Sequence, residues 1–241
     1  MQMWKENHLQ VINEFLESIN KDTDQFILKG GTALLTCYQL DRFSEDIDFD
    51  SRSKQNIISL IDQFSKQNGY SYRVGKDTNT VKRTFIDYGN AEHKLKVETS
   101  YRQKKIIDEE DYTRINGISV YTIDRLFQQK CDAYLGRDRI RDIYDLCYIY
   151  ENYSNELSKN SIKRLQQAFT YKGINEINAL ILEQSDELVD ADELFYKFLY
   201  ISEKIGLEKD DNISTPNQDL SNALNELNQQ GSFYDQDNLE R

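Results

Sequence analysis

Cysteine is scarce in this 241-residue chain, with only Cys37, Cys131 and Cys147. An odd number at wide spacing argues against a disulfide framework and offers no metal-ligand pattern, so a reducing cytoplasm is the expected compartment. Proline occurs once, at Pro216. No apolar run approaches the roughly 20 residues that a bilayer span requires. Residues 1–10, MQMWKENHLQ, lack the charged-then-apolar layout of a signal peptide. An excess of base is missing as well: 30 Lys and Arg face 42 Asp and Glu, a formal charge of −12. That balance argues against indiscriminate nucleic-acid binding but leaves room for a local basic groove. What is present, 38% hydrophobic and 30% charged residues, fits a folded chain able to bury a large core as one domain or two.

The most informative stretch is residues 26–50, FILKGGTALLTCYQLDRFSEDIDFD. The apolar run Phe26-Ile27-Leu28 reads as a buried strand, Gly30-Gly31 as a turn, and Thr32 to Leu35 as the start of a helix. Acids then alternate with apolar residues from Asp46 to Asp50. Successive side chains of a strand point to opposite faces, so Asp46, Asp48 and Asp50 share one face while Ile47 and Phe49 point into a core. Acids two residues apart lie about 6.6 Å from each other at Cα, close enough for both to ligate one Mg2+. Such a hard cation is usually held by one or two carboxylates together with substrate phosphates. Backbone N–H groups of the glycine pair can approach a phosphate closely, and the helix start adds a favourable dipole. Three further Asp-x-Asp pairs, 22/24, 190/192 and 235/237, lack a Gly-Gly turn and read as solvated acids.

KGGTAL followed by RFSEDIDFD resembles the first motif of the AbiEii/AbiGii and MenT toxin family, minimal nucleotidyltransferases of the DNA polymerase β superfamily. The resemblance implies an α+β fold: a nucleotidyltransferase-type mixed sheet of about five strands flanked by helices, followed by a C-terminal helical bundle. It implies Asp46 and Asp48 as catalytic metal ligands for Mg2+. It also implies Lys29, Gly30, Gly31, Thr32, Arg42 and Ser44 around the phosphates of a nucleoside triphosphate. Relatives modify the acceptor end of tRNA and are silenced by an antitoxin encoded alongside them. An RNA acceptor and a cognate antitoxin are therefore the expected partners, with no membrane.

Elsewhere, Leu9, Ile12, Phe15, Leu16 and Ile19 give an amphipathic first helix carrying His8, which reads as a surface or packing residue. A second helix holds Ile57 to Phe64 and ends near Asn68-Gly69. Strands are expected at 70–74, 81–88 and 94–101, with turns between them, and a last one near 115–121. In KLKVETS, Lys94, Lys96 and Glu98 share a face. Glu98 is either the third carboxylate that polymerase-β-like enzymes place on a neighbouring strand, or an exposed acid paired across the sheet. Lys96 either meets a phosphate or balances Glu98.

From Ile123 the period becomes helical, dividing the chain into a catalytic domain (1–121), a helical domain closing the cleft (122–206) and an acidic, flexible tail (207–241). Gly136 should interrupt the first of these helices and Asp138 cap the next. Residues 125–146 concentrate Arg125, Lys130, Arg137, Arg139 and Arg141 in an otherwise acidic protein. KxxAxxxR and RDxxDL resemble later motifs of the same family, implying Lys130 and either Asp142 or Asp145 in the active site, with Arg137 near phosphate. Read without the family, Arg137 to Asp145 would form an intra-helical lattice of ion pairs. Two further functions compete with RNA modification: transfer to a protein acceptor, and a non-catalytic binding module. Three acids on one strand face disfavour the latter, because packed like charges cost stability unless a cation sits among them.

Overall fold

A computed structural model describes residues 3–102, 107–184, 186 and 189–207. The chain opens with α1 (Met3–Asp22), β1 (Phe26–Lys29), α2 (Gly30–Cys37), β2 (Ile47–Ser51) and α3 (Ile57–Asn68). There follow β3 (Ser71–Asp77), β4 (Val81–Asp87), β5 (Leu95–Ser100), β6 (Tyr112–Ile115) and β7 (Ile118–Tyr121). Five helices complete it: α4 (Ile123–Gly136), α5 (Ile140–Tyr153), α6 (Lys159–Lys172), α7 (Ile174–Glu183) and α8 (Ala191–Lys204). The tail expected beyond residue 207 lies outside the described residues.

One mixed sheet of seven strands, in the order β3-β4-β5-β2-β1-β7-β6, positions everything else. It is wider than the expected five strands, partly because the stretch near 115–121 is not a single strand. Asn116 and Gly117, at φ 48 and 82, turn it into the β6–β7 hairpin. Asn-Gly is the dipeptide that accepts two left-handed residues in succession. Val81, Thr84 and Ile86 are buried on β4, and Leu95, Val97 and Thr99 on β5. In β5 this is the strict alternation of a half-buried strand.

Helices α1 and α3 meet through Phe15 and Phe64, edge to face at 5.1 Å. Asn56 caps α3 by accepting from Ile58 N, and Gly69 ends it at φ 70. At the sheet–helix junction Thr122 caps α4, accepting from Arg125 N. Helix α4 does stop at Gly136, but Asp138 does not cap α5. Arg139 holds that position in extended conformation, while the Asp138 carboxylate takes the Lys172 ammonium at 2.5 Å. Of the buried stripe that helical spacing predicts over residues 158–205, Leu165, Phe169, Ile177, Ile181, Leu194, Phe198 and Ile201 are buried, while Ile162 and Leu180 are partly buried against the core. Among the described residues no helix is long and apolar enough to cross a membrane.

Candidate active site

Strand β2 stands between antiparallel β1 and parallel β5, and this pairing assembles the acids. Asp48 is opposite Lys29 on β1 and opposite Glu98 on β5. Directly opposed residues share a face, so two carboxylates from distant segments meet one strand spacing apart, about 4.8 Å. Glu98 is held by Arg83 of β4, Nε to Oε2 at 2.5 Å, and Asp46 by the Lys96 ammonium. Lys96 thus balances Asp46 rather than Glu98. Asp48 makes no hydrogen bond or ion pair among the described residues. Burial pushes its carboxyl up, with Lys96 and Lys29 opposing the shift and Asp46 and Glu98 adding to it.

Asp50, the third acid of the alternation, is buried and committed elsewhere. It accepts from Lys29 Nζ at 2.7 Å and from the Tyr121 hydroxyl at 3.0 Å. Lys29 is therefore anchored at the end of β1, next to Asp48.

The glycine pair lies against these acids. Lys29 at the N-cap of α2 makes no side-chain capping bond, so among the described residues no side chain caps the first N–H groups of this helix. Gly30 has φ +76, a conformation a Cβ would strain, and a Cβ there would lie 3.3 Å from Asp48 Oδ2. A Cβ on Gly31 would lie 2.8 Å from Ser44 Oγ and 3.2 Å from Arg42 Nη2. Thr32 donates to the Asp46 carbonyl and stands 2.9 Å from Ser44 Oγ. Gly30 is favoured by its left-handed backbone, and the turn lies close to Asp48 of β2 and to the loop that delivers Ser44.

That loop, residues 38–46, is fastened from two sides. Arg42 reaches across to Asp145 of α5, Nε and Nη2 each 2.7 Å from a carboxylate oxygen. Tyr144 donates to Asp41 at 2.7 Å, Tyr148 to the Gln39 carbonyl at 2.6 Å and Tyr153 to the Tyr38 carbonyl at 2.8 Å. From α1, His8 places Nε2 2.8 Å from the Glu45 carbonyl and Nδ1 2.7 Å from Tyr88 Oη. A carbonyl can only accept, so Nε2 carries the proton and Nδ1 takes the Tyr88 proton. Burial lowers the pKa of His8, against the pull of Glu45, in keeping with a neutral ring. His8 is a buried fastener of the loop, not a surface residue, and its partners 37 and 80 residues away were invisible to periodicity.

Lys130, on α4, links the two acids of α5. Its Nζ is 2.5 Å from Asp145 Oδ2 and 3.3 Å from Asp142 Oδ1. Arg137 completes the chain with bonds of 2.6 and 3.0 Å to Asp142. Burial would raise the Asp142 carboxyl, but Arg137 and Lys130 hold it below the usual carboxylate range. Arg42, Asp145, Lys130, Asp142 and Arg137 thus form one network joining the sheet to the helices. It contains three cations and two anions, so one positive charge is left over. Arg137, the half-exposed end, is electrostatically coupled to Asp48. The intra-helical lattice does not form: Arg141 pairs instead with Asp186 at 2.5 Å. Neither Asp142 nor Asp145 holds Arg139 or Arg141.

A family model described as nucleotidyl transferase AbiEii toxin, type IV TA system, matches residues 14–220. A proposed nucleotidyltransferase from H. pylori is 26% identical, with a TM-score of 0.72 over 85% of this chain and 96% of that one. JHP933 from Helicobacter pylori is 25% identical, with a TM-score of 0.73 over 96% and 99% of the two chains. MenT4, a nucleotidyltransferase toxin from Mycobacterium tuberculosis, is 14% identical at a TM-score of 0.46, too distant to bear on chemistry here. No curated protein sequence matches the chain.

Proposed function

This chain belongs to the AbiEii family of nucleotidyltransferase toxins of type IV toxin–antitoxin systems, and from that premise we propose that it transfers a nucleoside monophosphate from a nucleoside triphosphate to an RNA acceptor, the 3′ end of tRNA. In that reaction the acceptor hydroxyl attacks the α-phosphorus, a new phosphodiester forms, and the bond to the β-phosphate breaks to release pyrophosphate. The observation that carries the reading is the Gly30–Gly31 turn set against Asp48, with Glu98 opposite it in register. It puts backbone donors and carboxylates on the same small volume.

The donor set fits Mg2+, which prefers hard oxygen ligands. Asp48 offers a desolvated carboxylate with no hydrogen-bond or ion-pair partner among the described residues, and Asp46 and Glu98 flank it with oxygens now bridged by Lys96 and Arg83. Among the described residues no three His, Cys, Asp or Glu side chains form a ready cage. Asp46 and Asp48, with Glu98 opposite Asp48, would hold such an ion together with the phosphates of the triphosphate. Bound there, Mg2+ would offset charge on the phosphates and lower the pKa of the attacking hydroxyl.

The chain's own residues do the rest. Gly30, Gly31 and Thr32 direct N–H groups to the phosphates, with the Ser44 hydroxyl beside them. Lys29, anchored by Asp50, which also accepts from Tyr121, and Arg137, the charged end of the buried network, stabilise negative charge as pyrophosphate departs. Arg42 and Lys130 hold the loop and the helices in register and meet phosphate only through that geometry. A cognate antitoxin is the regulatory partner, and a reducing cytoplasm suits the free cysteines.

The test is incorporation of label from each α-labelled nucleoside triphosphate into total RNA and into protein, with Mg2+, by wild type and Asp48→Ala. Label on RNA that the variant abolishes supports the proposal. Label on protein alone would replace RNA as the acceptor, and no label anywhere would overturn the transferase mechanism for this chain.

A further inference from the structure

The sheet face that bears Asp48 and Glu98 continues past them to an open edge, and its side chains are not those of an ordinary solvated surface. Two cross-strand rows can be followed outward. In the first, Asp46 is bridged by Lys96, Lys96 is opposite Phe85, and Phe85 is opposite Arg73. In the second, Asp48 is opposite Glu98, Glu98 opposite Arg83, and Arg83 opposite Lys76. Each row spans three strand spacings, about 14 Å, a tract rather than a point contact.

Lys76 owes its place to an irregularity. Residues three apart on a regular strand face opposite ways, yet Arg73 and Lys76 both stand on this face. The register shifts between Val74 and Lys76, so that Gly75 is an extra residue. A bulge of this kind re-aims the side chains that follow it. Gly75 is also where a Cβ would come within 2.7 Å of the Phe85 ring, so the glycine leaves room for that aromatic. Over that ring, 4.6 Å from its centroid, sits the Arg73 guanidinium. The opposite face carries Tyr72, Thr84 and Ile86 and belongs to the core, with the Tyr72 hydroxyl 3.4 Å from Asp62 of α3.

Outward of Asp46, Asp48 and Glu98 the rows thus carry four cations and one aromatic in a chain of net charge −12; Lys96 and Arg83 are paired with two of those acids, and Arg73 and Lys76 lie beyond them. Neither Arg73 nor Lys76 has an acidic partner among the described residues. Arg83 engages Glu98 through Nε, and its terminal nitrogens have no hydrogen-bond partner among the described residues. Charge complementarity selects a polyanion. An aromatic–guanidinium stack between cations suits bases and phosphates of a single strand, because every base presents a π-face.

We propose that the open face of β3, β4 and β5 binds the single-stranded 3′ segment of the acceptor RNA. Lys76 and Arg83 meet its phosphates, the Arg73 guanidinium held over the Phe85 ring stacks on a base, and the terminal hydroxyl is led inward to Asp46 and Asp48. This rests on the RNA-acceptor reading above and adds to it the path and the strandedness of the acceptor.

The test is fluorescence anisotropy of a labelled single-stranded RNA of about 12 nucleotides, with nucleotide binding and melting temperature measured on the same proteins. Phe85→Leu should weaken RNA binding about tenfold and Phe85→Trp should keep it. Arg73→Ala with Lys76→Ala should flatten the salt dependence of binding. Lys66→Ala, on exposed α3, is the control and should change nothing, and nucleotide binding should survive in every variant.

RNA binding and labelling that are indifferent to Phe85, Arg73 and Lys76 would overturn the tract while leaving the transferase intact. RNA binding that depends on them without nucleotide transfer would keep the tract and overturn the chemistry. A double-stranded RNA bound as well as the single strand, or labelling of protein sensitive to the same residues, would overturn the assignment of the occupant.

Discussion

Asp145→Asn separates a structural acid from a chemical one. The substitution keeps the shape of the side chain and removes its charge, leaving Arg42 and Lys130 facing an amide in a site where Arg42 is 5% and Asp145 0% exposed. Breaking a buried pair from one side typically costs about 3–5 kcal/mol, because the remaining charge is uncompensated. For a chain of this size each kcal/mol lowers the melting temperature by roughly 2–4 °C, so a fall of about 6–20 °C is expected. Asp142→Asn should cost less, about 1–3 kcal/mol, since Arg137 at the half-exposed end can turn to water. Calorimetry and denaturant midpoints give the stability, and label incorporation gives the activity. Asp145→Asn should lose transfer together with stability, as the 38–46 loop is released. A variant within about 2 °C of wild type that nevertheless fails in transfer would refute the reasoning and put Asp145 in contact with substrate.

Asp48→Asn should behave in the opposite way. Burial raises the Asp48 pKa in the folded state, so the ionised group opposes folding above that pKa and the penalty is relieved as pH falls through it. At neutral pH the amide should therefore raise the melting temperature, abolish transfer and remove stabilisation by Mg2+, all readable in one thermal-shift series. Gly30→Ala forces a Cβ into a left-handed residue 3.3 Å from Asp48 Oδ2. It should cost about 1–2 kcal/mol, or roughly 2–8 °C, and weaken triphosphate binding in a nucleotide titration. His8 has a folded pKa below its ordinary 6.5, so below that pH the unfolded chain binds the proton first and stability is lost as pH falls. His8→Gln should be less stable than wild type near pH 7, and the gap should narrow in melting curves taken toward about pH 5.5. A gap that widens would mean that His8 is charged in the folded protein.

The sequence by itself determined the elements whose signal is local. Alternation from Asp46 to Asp50 put acids on one face of a strand, because a strand repeats every two residues. The glycine pair marked the turn, and the change of period at Ile123 marked where sheet gives way to helix. Even the β6–β7 hairpin had its signal, in Asn116-Gly117, though the stretch read as one strand. Tertiary structure decided what each charged group meets. Asp50 looked equivalent to Asp46 and Asp48 until Lys29 and Tyr121 closed on it. Glu98 faces Asp48 only because β5 inserts beside β2 in parallel register. Arg42, near the phosphate loop in sequence, spends its charge on an acid 103 residues away. The bulge at Gly75 turns Lys76 onto the face of Arg73, which alternation alone forbids. Periodicity reports which side of an element faces the core, since burial is set by the element's own repeat. Partnership between charges is set by how elements are ordered and registered in the sheet, and that order arises from packing distant segments into one core.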